Sequence, residues 1–251
     1  MKLRCSSENS WILTYHSLDA SGSVISVASE IFRNQMAWLD EIGTKVVPLD
    51  QIQQTPGAVA LTFDDGFRNF YEHAFPVLQQ RGFPATVFVV TGFCGKLNNW
   101  ASQPSTPVIP RLPLMSWGEL REIAAAGITL GSHTATHPRM AALSEAQMDE
   151  ELRVSQTVLE DSVGRRVTSF AYPYGESTPR VRDAVSRRYR IACGTKLAHV
   201  AGGSDPAELP RLDTYYFRNL AWFRRIGSQS GEVYIAARRS LRELRSKLSH
   251  A

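Results

Sequence analysis

Short apolar, β-branched runs alternate with amphipathic stretches along most of the chain. The runs fall at Trp11–Tyr15, Thr44–Val47, Ala58–Phe63, Ala85–Val90, Ile128–Leu130, Val167–Tyr172 and Arg190–Cys193. Their composition predicts buried strands. Between them, Ile31–Ile42, Asn69–Gln80, Trp117–Ala125, Glu145–Ser162 and Pro179–Tyr189 read as helices. Ile31, Met36, Leu39 and Ile42 lie near helical spacing, as do Met148, Leu152, Val158 and Leu159. A helix between each strand and the next implies parallel strands joined by crossovers. Some seven strand–helix units before the C-terminal stretch suit an α/β barrel better than a small open sheet.

Two segments break the alternation. Gly92 to Met115 is rich in Pro, Asn, Gly and Ser, and contains Trp100. A loop of that length is either a surface excursion or a wall for substrate. After the last barrel unit, residues 216–251 form a separate extension with two predicted helices, Tyr216–Ile226 and Gly231–Leu248. In the second, Ala237, Leu241, Leu244 and Leu248 make one apolar stripe at 4-3-4 spacing. The bland expectation is that this stripe packs on the barrel of residues 1–215.

Charge sharpens that division. The net charge of +4 is uneven: residues 215–251 hold eight basic side chains and two acidic ones. The body is therefore mildly acidic, which argues against a nucleic-acid-binding core. A basic amphipathic tail can instead touch an anionic membrane surface. Hydrophobic residues at 43% and charged residues at 21% belong to a folded globular chain. No stretch reaches the ~20 apolar residues of a membrane span. Met1 to Trp11 is too polar for a signal peptide, so a cytoplasmic location is expected. Cys5, Cys94 and Cys193 contain no C-x-x-C pair, which gives neither a disulfide framework nor a thiolate zinc site.

The candidate chemistry sits where predicted strands end. Ala58–Phe63 runs into Asp64-Asp65-Gly66. Two adjacent carboxylates there are either a helix-capping turn or a pair offset by a cation or a proton. Ile128–Gly131 runs into Ser132-His133-Thr134-Ala135-Thr136-His137-Pro138. Two histidines four apart can face one point in a helical or turn-like segment. In a barrel, both pairs would share the C-terminal rim. Two His and one carboxylate with open positions form a catalytic zinc site, leaving the other carboxylate free as a base. Tyr172-Pro173-Tyr174-Gly175 ends a third run, a sharp turn able to aim a backbone N–H into the site. Tyr15-His16-Ser17 ends the first.

These residues resemble the polysaccharide deacetylase family, the NodB-homology domain of carbohydrate esterase family 4. The matching motifs are Thr62 to Gly66, Ser132 to Pro138 and Phe170 to Gly175, with Trp117–Gly127 and Glu151–Gly164 resembling the helices around the histidine motif. The likeness covers roughly Ile12 to Leu212. It implies a distorted (β/α)7 barrel and a divalent metal, usually Zn2+ and otherwise Co2+ or Ni2+. By the same resemblance Asp65, His133 and His137 are the metal ligands, Asp64 is the base, and the Pro173–Tyr174 turn helps hold the oxyanion. Two departures stand out. Ala171 replaces the arginine that usually opens the third motif, and no late Leu-x-His motif follows. Tyr15-His16 instead resembles the rearranged branch of bacterial poly-N-acetylglucosamine deacetylases, in which the general-acid histidine comes from the N-terminal strand. Arg211 is then the replacement arginine, paired with Asp64 at the last strand.

The implied reaction is metal-dependent removal of N-acetyl groups from an N-acetylated glycan. Trp100, Trp117, Tyr172 and Tyr174 are rim aromatics that could stack on sugars, although Trp117 at a helix start fits the core. Pro173, Tyr172 and Trp100 are the substrate-contact candidates. Two other readings share these motifs: an O-acetyl esterase, and a glycan-binding protein without turnover.

Overall fold

A computed structural model describes residues 9–248. Its strands are β1 (Trp11–Tyr15), β2 (Val59–Phe63), β3 (Thr86–Val89), β4 (Thr129–Ser132), β5 (Ser169–Ala171), β6 (Ile191–Cys193) and β7 (Leu212–Asp213). All pairings between them are parallel, in the order β6-β5-β4-β3-β2-β1-β7. Helices α1 (Ser29–Glu41), α2 (Phe75–Arg81), α3 (Trp117–Ala125), α4 (Glu145–Val163) and α5 (Pro179–Ser186) cover the sheet, followed by α6 (Leu220–Phe223) and α7 (Gln229–Leu248). The sheet curls, and Leu209 bridges Cys193 of β6 just before β7 joins β1, giving the distorted (β/α)7 barrel.

Local chemistry accounts for the helix starts. Ser116 with Glu119 and Ser144 with Gln147 form reciprocal capping boxes at α3 and α4. Thr178 caps α5 ahead of Pro179. Strand side chains divide by alternation. Trp11, Leu13 and Tyr15 join the large cluster between sheet and helices. Ile12, Ala60, Phe88, Ala171 and Cys193 fill a second cluster inside the barrel.

Three expectations change. Thr44–Val47 is not a strand: Val46 makes only an isolated bridge to Val59. The seventh strand is Leu212–Asp213, two residues long and too short for a hydrophobic run to betray it. The α7 stripe is also reversed. Ala237 is exposed, and Leu241 and Leu244 are 48% and 55% exposed, while Gly231 and Ile235 are buried. Gly231 packs closely on the turn that precedes the helix, where a Cβ would lie 1.9 Å from the Arg225 carbonyl oxygen. The Leu248 side chain, Cys5 and His250 lie outside the described residues. Among those described, no helix is long and apolar enough to cross a membrane.

Candidate active site

Alternation along β2 turns Ala60 and Thr62 into the barrel, and the next residue in phase is Asp64. An extended Asp65 would point the other way. Its φ of 71° breaks the strand and lets both carboxylates line one cleft of about 510 Å³ at the C-terminal rim. Thr134, His137 and Tyr174 also have positive φ, at 68°, 57° and 58°. With Asp65 they are the non-glycine residues in that region among those described, and all four belong to the rim motifs. Each costs ~1–3 kcal/mol, which only a well-braced loop sustains.

The bracing is visible. The Glu151 carboxylate accepts from the backbone N–H groups of Ala135 and Thr136, both at 2.9 Å, and from the Thr136 hydroxyl at 2.6 Å. Thr134 Oγ1 accepts from the His137 N–H at 2.9 Å. Trp100 stacks on the His137 ring at 4.3 Å, and Tyr174 meets it edge-on at 4.7 Å. Ser102 donates to the His137 carbonyl and so accepts from the Tyr174 hydroxyl at 2.9 Å. The Gly92–Met115 loop is thus a wall of the cleft, contributing Trp100, Pro104 and Ile109.

Asp65, His133 and His137 offer three ligand atoms within 4.8 Å of one another, all buried. Both imidazole Nε2 atoms face Asp65 Oδ1, at 3.3 Å and 3.4 Å. The Nδ1–H of His133 donates to the Ala171 carbonyl at 2.7 Å, which orients the ring as ligating histidines require. Asp65 Oδ1 has no hydrogen-bond partner despite burial. An orphaned carboxylate oxygen facing two imidazole nitrogens is satisfied by a cation at their centre, and the N2O set suits a divalent transition metal. Burial pushes the His137 imidazole down to about 3, keeping it in the neutral state that ligates. Burial also pushes the thiols of Cys94 and Cys193 up to about 12, so neither offers a thiolate.

Asp64 has a different environment. Arg211 Nη1 and Nη2 fork onto its two oxygens at 2.7 Å and 2.8 Å, and Arg211 Nε donates to the Gly194 carbonyl at 2.9 Å. Both side chains are buried, Arg211 at the bend between Leu209 and β7. Burial pushes the Asp64 carboxyl up, but the charges of Arg211, His16 and His133 outweigh it and hold the group well below the usual carboxylate range. His16 Nε2 lies 3.7 Å from Asp64 Oδ2 with a quarter of its side chain exposed to the cleft. Ala171 is fully buried in the barrel interior.

The remaining candidates divide. Tyr174 lines the cleft, under the Arg139 guanidinium at 4.6 Å. Tyr172 lines it too, but its hydroxyl is spent on the Ala207 carbonyl at 2.7 Å. Pro173 is buried in the turn. Trp100 is only 5% exposed, with one face against His137, so it supports that imidazole more than it offers a stacking surface. Trp117 is partly buried against the core. His199 packs against Trp11, at the far end of β1 from His16. Sequence reasoning missed Asp213, Arg238 and Arg242, which also line the cleft. Asp213 was within reach, two residues beyond Arg211; no local pattern marked the two arginines.

A family model described as polysaccharide deacetylase matches residues 51–189. The poly-beta-1,6-N-acetyl-D-glucosamine N-deacetylase of Escherichia coli (strain K12) is 30% identical over 141 residues, 49% of this chain and 20% of that protein. The enzyme of that name from Staphylococcus aureus (strain MSSA476) is 27% identical over 167 residues, 60% of this chain and 54% of that one. The chain thus spans about half the length of the staphylococcal relative and a fifth of the other. Among solved structures, IcaB from Ammonifex degensii shares the fold with a TM-score of 0.71 at 23% identity, covering 89% of this chain and 97% of that one. Streptococcus pyogenes deacetylase PplD in complex with acetate gives 0.70 at 20%, covering 82% and 92%. The family model takes in more than half of these 251 residues, including the Asp64-Asp65 and His133–His137 motifs, and the chain belongs to the polysaccharide deacetylase family.

Proposed function

We propose that this chain hydrolyses the acetamide of an N-acetylated glycan, releasing acetate and leaving an amine. The carrying observation is the division of labour between adjacent carboxylates: Asp65 faces two histidines, while Asp64 is held ionised beside them by Arg211. The N-deacetylase activity named for the E. coli and S. aureus relatives supports the same reading.

Asp65, His133 and His137 would hold the ion. A divalent metal there supplies a Lewis acid that polarises the carbonyl and lowers the pKa of water toward ~7. Asp64 takes the proton of the attacking water, its ionised state secured by the Arg211 fork. The positive φ of Tyr174 orients the turn whose backbone N–H receives the developing oxyanion. His16, on the other side of Asp64, gives a proton to the departing nitrogen, without which an amide anion would have to leave.

Acetate release from N-acetylated chito-oligosaccharides, with and without added Zn2+, tests the reading. Release from O-acetylated xylan alone would make the enzyme an esterase, and oligosaccharide binding without release would make it a glycan-binding protein. The reading extends to peripheral contact with an anionic membrane through α7, supported by its outward Val233, Leu241 and Leu244. Co-sedimentation with anionic vesicles should fall for a Leu241→Ser/Leu244→Ser variant; equal partitioning, or none by either protein, removes that contact.

A further inference from the structure

Helix α7 brings to the cleft two cations that the proposed hydrolysis does not use. Gly231, Ile235, Arg238 and Arg242 follow one another at four-three-four spacing, the seam of a packed helix. Gly231 and Ile235 are buried against the rest of the molecule, and Arg238 and Arg242 are half-buried and line the cleft with Asp64, Asp65 and His16. The apolar residues that could have taken the last two inward places point outward instead, Leu241 at 48% and Leu244 at 55% exposure. A helix selected only for burial would be rotated the other way, because half-burying guanidinium groups forfeits hydration that an outward placement keeps.

Both arginines are positioned. Arg242 donates one Nη1 hydrogen bond to the Thr195 carbonyl at 3.0 Å. Arg238 Nε donates to the Tyr234 hydroxyl at 3.1 Å, with its guanidinium near the Tyr216 and Tyr234 rings at 5.5 Å and 5.1 Å. Neither is ion-paired with a described carboxylate. Asp213, in the same cleft, accepts from the Tyr215 N–H at 3.0 Å. A guanidinium has five N–H donors, so most of those on Arg238 and Arg242 remain for a ligand.

We infer that α7 makes this cleft selective for an anionic glycan, whose phosphate or carboxylate group is held by Arg238 and Arg242 while its acetamide lies at Asp64. The inference rests on the proposed deacetylation and names its substrate class. Guanidinium forks match the oxygen geometry of both anions.

The test is calorimetric titration of the metal-loaded full chain with three probes: N-acetylglucosamine, its 1-phosphate, and an N-acetylated disaccharide containing a uronic acid. At least one anionic probe should bind tenfold or more tightly than the neutral sugar, and added salt should erode that preference. Arg238→Gln/Arg242→Gln should abolish the preference, and Arg238→Lys/Arg242→Lys should retain part of it. A phosphate bound only at the metal would survive the glutamine variant with its preference intact, and that result overturns the inference. Equal binding of all three probes by the unaltered chain also overturns it. Acetate release is followed in parallel: an arginine-dependent anion preference with no release from any probe would overturn the deacetylase reading and leave the anion site standing.

Discussion

On the β2–β4 side of the cleft, Asp65, Thr134 and His137 hold backbone conformations that L-residues rarely adopt, and their side chains are almost fully buried. On the α7 side, Arg238 and Arg242 sit on ordinary helix and are only half-buried. On the first side the strain is braced by Glu151, Ser102 and Trp100, which fixes the relative positions of these groups. The second presents two guanidinium groups at the rim, each held by a single hydrogen bond, to Tyr234 and to the Thr195 carbonyl. Changes on the strained side should therefore be large and specific, and changes on the helical side small.

The largest effect is expected at Asp64. Asp64→Asn should lower kcat by about 10²–10⁴-fold with the metal retained by elemental analysis, whereas Asp65→Asn should lose the metal. The opposite pattern would exchange the two roles. Arg211→Met comes next, because it leaves a buried carboxylate without its partner at a cost of about 3–5 kcal/mol in urea unfolding at pH 7. The folded-state pKa of Asp64 is depressed, so its contribution is present above the unfolded value near ~3.9 and is lost as pH falls. The gap between the unaltered chain and Arg211→Met should accordingly narrow below about pH 4. A constant gap would mean that Asp64 and Arg211 are not coupled. In the pH–rate profile the same variant should move the acidic limb upward, since burial then acts on Asp64 against fewer positive charges.

His16→Ala should cut kcat by about 10²-fold or more, with metal content unchanged. Near-unaltered turnover would end its role as the acid, and His199 could not replace it from the far end of β1. The smallest effect belongs to the outward stripe: Leu241→Ser should change stability by no more than about 0.5 kcal/mol. A larger loss in thermal melting would show that the α7 stripe is covered in solution and would weaken the contrast between the two sides.

The strand–helix alternation, the parallel sheet and the two motif-bearing turns were legible because each depends on residues close in the chain. Hydrophobic runs mark strands, and apolar residues at helical spacing, such as Met148, Leu152 and Leu159, mark the helices between them. The Asp64-Asp65 and His133–His137 motifs are equally local. Asp213 escaped because a two-residue strand has too little periodicity to announce what its end presents.

What the linear order left open was settled by packing. Alternation put Asp64 in phase with the barrel interior, but only the left-handed turn at Asp65 brought both carboxylates to one cleft. Arg211 lies 147 residues from Asp64 in sequence and reaches it only through the bend that carries the chain from β6 to β1. The face α7 presents, with Gly231 and Ile235 buried and Leu241 and Leu244 outward, runs against the apolar stripe read from the helix's own spacing. A sequence encodes which faces are apolar, whereas which face meets the protein depends on the shape of what it meets, and that shape exists only once the barrel has closed.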